Sequence, residues 1–284
     1  MKRGNKVGII CCSNAQPFSK TDKIKRLIET LSSIGMTAVL SDCVFSANPP
    51  FGVSDKERAE ALMRFYNDNE IDVIFDISGG DLANGILPYL DFDVIKNSGK
   101  CFWGYSDLTT IINAIYAKTG VPSVLYQVRN LIYDNAEKQI SDFEATVFSS
   151  ENSLFDFDYE FIQGDKINGV VVGGNIRCLL KLAGTPYFPD MTDKVLLLES
   201  LGGTAERIMT YLCQLEQMRV FEKISGIILG TFTEMQEKHC TPTVNELVRS
   251  FAGGKPIVKT EQIGHGTDSK AVVIGSEICL IKKQ

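Results

Sequence analysis

Residues 100–119 read KCFWGYSDLTTIINAIYAKT, an apolar run that breaks at Gly104-Tyr105-Ser106-Asp107 and resumes with a different period. Residues 100–104 have the length and apolar character of a short buried strand. From Asp107 to Thr119 the apolar residues Leu108, Ile111, Ile112, Ile115 and Tyr116 recur at the spacing of one helix face. A strand turning sharply into a helix is the building unit of an α/β layer. The corner also sets Ser106 at a helix N-terminus, where free N–H groups and the positive dipole end favour charge developing on a neighbouring oxygen. Ser106 is therefore a candidate nucleophile. The plain alternative is an N-cap, because Ser and Asp commonly precede amphipathic helices.

The same unit repeats upstream. Strand-like segments at 7–12, 36–40 and 71–77 alternate with helical patterns at 24–34 and 55–67, which predicts a mostly parallel sheet over residues 1–130. Ligands of such sheets bind beyond the carboxyl ends of the strands. Three of those ends carry polar or Gly-rich loops, Ser13-Asn14-Ala15-Gln16, Ser78-Gly79-Gly80-Asp81 and Tyr105-Ser106-Asp107, and they are expected to converge on one crevice. There the N–H groups of Gly80 and Asp107 are candidates for an oxyanion hole.

Downstream, periodicity degrades, and residues 131–163 are expected to be a crossing between domains. Short apolar runs at 170–172, 195–198, 226–229 and 271–274, with helical patterns at 204–217 and 244–251, predict a second β/α domain over 164–284. Gly173-Gly174-Asn175 resembles a phosphate-cradling turn but lacks the G-x-G-x-x-G spacing and a following Lys-Ser/Thr.

A serine nucleophile needs a base, and the chain has two histidines. His265 lies in Gly264-His265-Gly266, a loop between apolar segments that can bring an imidazole to a site. His239 sits in a polar stretch and reads as surface. Glu199 ends the run 195–198 and is followed by Ser200-Leu201-Gly202-Gly203; it is either a structural glutamate or the group that orients the histidine. The order Ser106, Glu199, His265 matches that of hydrolases with a strand-to-helix serine corner, although Leu108 replaces the second glycine of G-x-S-x-G.

The bulk properties narrow the field. A net charge of -6 with scattered Lys and Arg argues against a nucleic-acid polymer as partner. No apolar run approaches the roughly 20 residues that span a bilayer, and the first residues show no signal-peptide pattern, so the expected location is cytoplasmic. Six of the eight cysteines lie in apolar runs and none forms C-x-x-C, which favours free thiols and predicts neither a metal site nor a cofactor.

These pieces, in this order, resemble the LD-carboxypeptidase family, the S66 serine peptidases. The resemblance runs through Ser78-Gly79-Gly80, Leu87-Pro88-Tyr89-Leu90-Asp91, Gly104-Tyr105-Ser106-Asp107 and Ala117-Lys118-Thr119-Gly120. It continues through Gly173-Gly174-Asn175, Gly184-Thr185-Pro186, Leu198-Glu199 and Gly264-His265-Gly266. It implies Ser106 as nucleophile, Glu199 as orienting acid and His265 as general base. It further implies a flavodoxin-like N-terminal domain, a smaller swivelling C-terminal domain and a homodimer.

Two departures bear on substrate. The family's Arg-Gly-Gly is Ser78-Gly79-Gly80 here, as in the branch resembling the microcin C self-immunity peptidase, which cleaves aminoacyl nucleotides. Where a His-Gly-Pro segment is usual, this chain has Leu125-Tyr126-Gln127-Val128-Arg129, so Arg129 is a candidate for holding a substrate carboxylate. Ser78 and Gly79 are expected to line the pocket. Trp103, the sole tryptophan, is either a stacking surface beside the nucleophile or core. The expected activity is metal-independent serine hydrolysis of the amide before a terminal D-alanine in a cytoplasmic muropeptide. The alternative substrate is an aminoacyl or peptidyl nucleotide amide, and the rival from another class is a non-catalytic small-molecule binding protein.

Overall fold

The computed structural model describes residues 1–282. The first part of the chain runs β1 (Lys6–Ile10), β2 (Gln16–Pro17), α1 (Thr21–Ser33), β3 (Thr37–Leu40), β4 (Phe45–Ser46), α2 (Asp55–Asn67), β5 (Val73–Asp76), α3 (Phe92–Asn97), β6 (Cys101–Gly104), α4 (Thr109–Thr119), β7 (Ser123–Leu125) and α5 (Ala136–Ser149). β3-β1-β5-β6-β7 lie parallel in that order. This is the 2-1-3-4-5 order of a flavodoxin-like sheet, whose switch point falls between β1 and β5. Every residue of β5 is buried, as expected of a parallel strand covered on both faces.

Local chemistry fixes the covering helices. α1 turns Ile24, Leu27 and Leu31 inward at helical spacing. α2 starts on a capping box, in which Ser54 accepts from the Glu57 N–H and the Glu57 carboxylate accepts from the Ser54 N–H. α4 stops at Gly120, which takes the left-handed conformation that glycine tolerates.

The remainder forms β8 (Glu160–Gln163), β9 (Lys166–Asn175), α6 (Ile176–Leu180), β10 (Lys194–Ser200), α7 (Ala205–Gln217), α8 (Val220–Lys223), β11 (Gly226–Phe232), α9 (Thr233–Glu237), α10 (Val244–Ala252), β12 (Ile257–Lys259), β13 (Val272–Ile274) and β14 (Glu277–Ile281). A second sheet runs β14-β9-β10-β11-β12-β8, parallel from β9 to β12 and antiparallel at both edges. Leu196 and Leu198 of β10 pack with Ile227 and Leu229 of β11 against Ile208 and Leu212 of α7.

Two segments differ from the sequence reading. The crossing expected at 131–163 contains α5, whose Phe143 and Val147 enter the core of the first sheet with Phe75 and Trp103. The segment 271–274, read into the second domain, supplies β13, which pairs antiparallel with β7 and extends the first sheet. β12 and β14 belong to the other sheet, so the chain enters the first sheet and returns. All eight cysteines are free thiols, with Cys279 exposed despite its apolar neighbours. Among the described residues no helix is long and apolar enough to cross a membrane.

Candidate active site

The corner after β6 is tight. A Cβ on Gly104 would stand 2.7 Å from the Leu108 Cβ, so the turn requires glycine there. Tyr105 is extended, Ser106 has φ 57, and one 3-10 turn over Ser106–Leu108 leads into α4. A left-handed serine is uncommon and costs strain that the surrounding structure must hold. Its hydroxyl faces His265 Nε2 at 3.1 Å, so Ser106 does not act as a helix cap.

Glu199 comes from β10, where the register against β11 shifts between Leu198 and Ser200. Such an irregularity re-aims a side chain, and the Glu199 Oε2 lies 2.8 Å from His265 Nδ1. A carboxylate only accepts, so Nδ1 carries the proton and Nε2 is left to accept from the serine hydroxyl. Glu199 is fully buried, and the Tyr105 hydroxyl also lies beside its carboxylate. His265 sits on the loop between β12 and β13. A Cβ at Gly264 would overlap Thr231 of β11. Ser269 Oγ lies 2.6 Å from the Gly264 carbonyl and 2.7 Å from that of Gly266, which pins the loop. The Tyr105 ring meets the imidazole edge-on at 5.0 Å. Burial, reinforced by the nearby Glu199 charge, pushes the Tyr105 phenol well above its usual range.

The loop after β5 lies against the same corner. Gly80 has φ 122 and faces the Asn14 side chain closely enough that a Cβ would clash. Asp107 is wholly buried; its Oδ2 accepts from Ser13 Oγ at 2.6 Å and from the Ala83 N–H at 2.9 Å, and its Oδ1 from Lys181 Nζ at 2.5 Å. Asp107, the residue after Ser106, is thereby tied to the loop that carries Gly80. Asp76, at the end of β5, accepts from the N–H groups of Cys12 and Ser78, each at 2.7 Å. Burial raises its carboxyl above the usual range, against these bonds, which lower it.

A cavity of about 260 Å³ opens over Ser106 and His265, lined also by Ser78, Gly79, Gly80 and Arg129 among others. The Ser78 hydroxyl donates to Asp76 Oδ1 at 2.5 Å and accepts from the Ser13 N–H, so it shapes the wall. Arg129 Nε donates to Gln127 Oε1 at 3.1 Å, which orients the guanidinium at the wall. Trp103 is the exception among the candidates. It is 4% exposed and packs edge-on against Phe75, Tyr126 and Phe143, because alternate side chains of β6 point away from the corner into the core. His239 is exposed. Gly173-Gly174-Asn175, read as a turn, is the end of strand β9 and a packing joint: Asn113 of α4 bonds both the N–H and the carbonyl of Gly173, and Thr109 Oγ1 accepts from the Asn175 N–H. Sequence reasoning missed Asp76, Ser269, Arg177 and Lys181; the Cys12 partner of Asp76 and the partners of both cations are distant in the chain and leave no local motif, while Ser269 bonds carbonyls three and five residues away inside a loop.

Comparison with known proteins agrees over both parts of the chain. The model of the LD-carboxypeptidase N-terminal domain matches residues 7–126, and that of the LD-carboxypeptidase C-terminal domain matches residues 168–280. A probable murein peptide carboxypeptidase of Bacillus subtilis is 27% identical, with 99% of this chain and 90% of that protein covered. The crystal structure of an MccF-like protein from Bacillus anthracis superposes with a TM-score of 0.87 at 25% identity, covering 100% of this chain and 95% of the other. MccF in complex with glutamyl sulfamoyl guanosine superposes with a TM-score of 0.86 at 20% identity, covering 100% and 97%, which speaks to fold alone.

Proposed function

The chain belongs to the LD-carboxypeptidase family, and from that premise we propose that it is a metal-independent serine carboxypeptidase acting on the amide before a terminal D-alanine of muropeptides. One observation carries the reading: Ser106 Oγ, the His265 imidazole and the Glu199 carboxylate stand in line at 3.1 Å and 2.8 Å. In this reading His265 Nε2 takes the Ser106 proton as Oγ attacks the carbonyl carbon. The oxyanion that forms is met by the N–H groups of Gly80 and Asp107. Collapse breaks the C–N bond, and the imidazolium gives its proton to the leaving amine. Water, deprotonated by the same nitrogen, then hydrolyses the acyl-enzyme and restores Ser106. Glu199 holds the tautomer and balances the imidazolium charge throughout.

The dimensions of the pocket support a peptide end. At about 260 Å³ it is smaller than the roughly 300–1,000 Å³ that encloses a drug-sized ligand. A terminal alanine fits, its carboxylate reaching toward the Arg129 guanidinium. The second reading is an aminoacyl or peptidyl nucleotide amide. It draws on Ser78, an uncharged residue whose hydroxyl donates to Asp76. It also draws on relatives of the MccF kind, of which one is solved with glutamyl sulfamoyl guanosine. Incubation with a muropeptide tetrapeptide and, separately, with an aminoacyl sulfamoyl adenosine, read by mass spectrometry with Ser106→Ala as control, tests both. Loss of one alanine by the wild type alone supports the carboxypeptidase. Cleavage of the nucleotide alone moves the protein to the second reading. No cleavage, together with no fluorophosphonate labelling, moves it to a binding protein without chemistry. On the family likeness we also propose a cytoplasmic homodimer; a sedimentation mass near 31.4 kDa would remove the dimer, and recovery outside the cytoplasm of fractionated cells the location.

A further inference from the structure

The two oxyanion donors come from different loops, and neither loop is fixed by its own secondary structure. Gly80 lies in the stretch between β5 and the turn at Ala83, and Asp107 lies in the single 3-10 turn before α4. To the Ala83–Asp107 bond that already links them, a pair of cations that follow β9 of the other sheet adds a second tie. Arg177 and Lys181 are four residues apart, on one face of α6 and its C-terminal continuation. Arg177 Nη2 donates to the Gly80 carbonyl at 3.1 Å, and its Nη1 pairs with the Asp81 carboxylate. Lys181 Nζ donates to the Asp81 carbonyl at 2.9 Å and to Asp107 Oδ1 at 2.5 Å. One helix thus grips the backbone on both sides of the Gly80–Asp81 peptide and, through the buried Asp107 carboxylate, the residue that follows the nucleophile.

The root of α6 is anchored to the same place. Asn175, which caps α6 through its bond from the Cys178 N–H, donates its own N–H to Thr109 Oγ1, and Gly173 is bonded twice to Asn113. The circuit therefore closes from the start of α4 through β9 and α6 and back to Asp107. We propose that Arg177 and Lys181 are positioning residues that set the spacing of the Gly80 and Asp107 N–H groups, so that the unit supplying the acid and base also assembles the oxyanion hole. The proposal rests on the serine-hydrolase reading above. A merely structural role predicts something else: the Arg177–Asp81 pair is about half open to water, with side chains 39% and 64% exposed, and such pairs add little stability.

The test uses a small uncharged fluorophosphonate, whose reaction with Ser106 passes through an oxyanion whatever the natural substrate is. Labelling kinetics are measured for the wild type, Arg177→Ala, Arg177→Lys, Lys181→Met, Lys181→Arg and Ser106→Ala, with melting temperature as the fold check. Loss of one oxyanion donor costs roughly 10²–10³ in rate; misplacing donors that are still present is expected to slow inactivation at saturation about 10- to 100-fold in Arg177→Ala and Lys181→Met, with the half-saturating concentration unchanged within about threefold. Arg177→Lys and Lys181→Arg are expected to recover part of the rate. Where Lys181→Met, which takes the counter-ion from buried Asp107, fails to fold, Arg177→Ala, at a half-exposed position, decides alone. A folded Arg177→Ala that labels at the wild-type rate overturns the proposal, as does a loss shared equally between rate and half-saturation with no recovery in Arg177→Lys. A wild type that never labels removes the serine-hydrolase reading itself, which is a different result from either.

Discussion

Glu199 is wholly buried, with one oxygen on His265 and the Tyr105 hydroxyl beside its carboxylate. A buried charge is costly unless a partner is cationic, and in the proposed acyl transfer the imidazolium is that partner. Glu199→Gln keeps the shape and removes the charge. Turnover is expected to fall about 10²- to 10⁴-fold with KM near the wild-type value, measured on whichever substrate the wild type cleaves; a variant within about threefold of wild type would remove Glu199 from the mechanism. The Tyr105 hydroxyl is buried beside the Glu199 carboxylate, while its ring edge rests on His265. Removing that hydroxyl takes a donor away from a buried charge. Tyr105→Phe is therefore expected to cost about 1–2 kcal/mol, and stability within about 0.5 kcal/mol of wild type in denaturant unfolding would mean that the hydroxyl does not bond Glu199. At this scale the sequence is a partial guide. Ser106 and His265 are legible because glycines and a change of period frame them. Trp103 is not, because adjacency to the corner is indistinguishable from burial beneath it until the direction of alternate strand side chains is known.

Elements with strong periodicity are legible to within about two residues: α2 falls where its pattern puts it, and β5 and β6 lie inside their predicted runs. The exception is α5. Its apolar stripe, Ile140, Phe143 and Val147, is narrow, and the phenylalanines that follow have no common period. α5 matters to the site because Lys270, five residues past the base, donates to its Asp142 at 2.7 Å, and Lys138 does so at 2.6 Å. Burial alone would raise the Asp142 carboxyl, but the two lysines outweigh it and hold it below the usual range. A carboxyl depressed in the folded state contributes stability above its unfolded pKa and loses it as pH falls through the folded value. Asp142→Asn is thus expected to cost about 1–3 kcal/mol at pH 7, since it leaves the partly buried Lys270 without its counter-ion. The gap to wild type should begin to narrow as pH falls below about 4 and close only below the depressed folded value. Urea titrations at pH 7 and at successive steps below about pH 4 measure it; a gap independent of pH would mean that the ion pair is not what joins this helix to the His265 loop.

The candidate site draws on two sheets: Ser106 follows β6 of the first, Glu199 lies near the end of β10 of the second, and His265 hangs between β12 of the second and β13 of the first. Because β13 crosses over to pair with β7, His265 is strung from both sheets, and neither can loosen without moving it. The Gly173–Asn113 and Lys181–Asp107 bonds add two further ties. A sequence read one run at a time assigns β13 to the sheet of its neighbours, since a three-residue strand carries no mark of its partner. If these ties couple the sheets, the molecule unfolds as one unit. The sole tryptophan makes this measurable, because Trp103 is buried in the core of the first sheet alone, while far-ultraviolet circular dichroism reports helices and strands of both. In a urea titration the two signals are expected to follow one transition with the same midpoint, and fluorophosphonate labelling of Ser106 should disappear with them. Tryptophan fluorescence that changes at a different midpoint from dichroism would show that the sheets unfold separately and that the crossing of β13 does not bind them. If labelling disappeared below both midpoints, the joint would be opening before either core, and the triad would be the least stable part of the molecule.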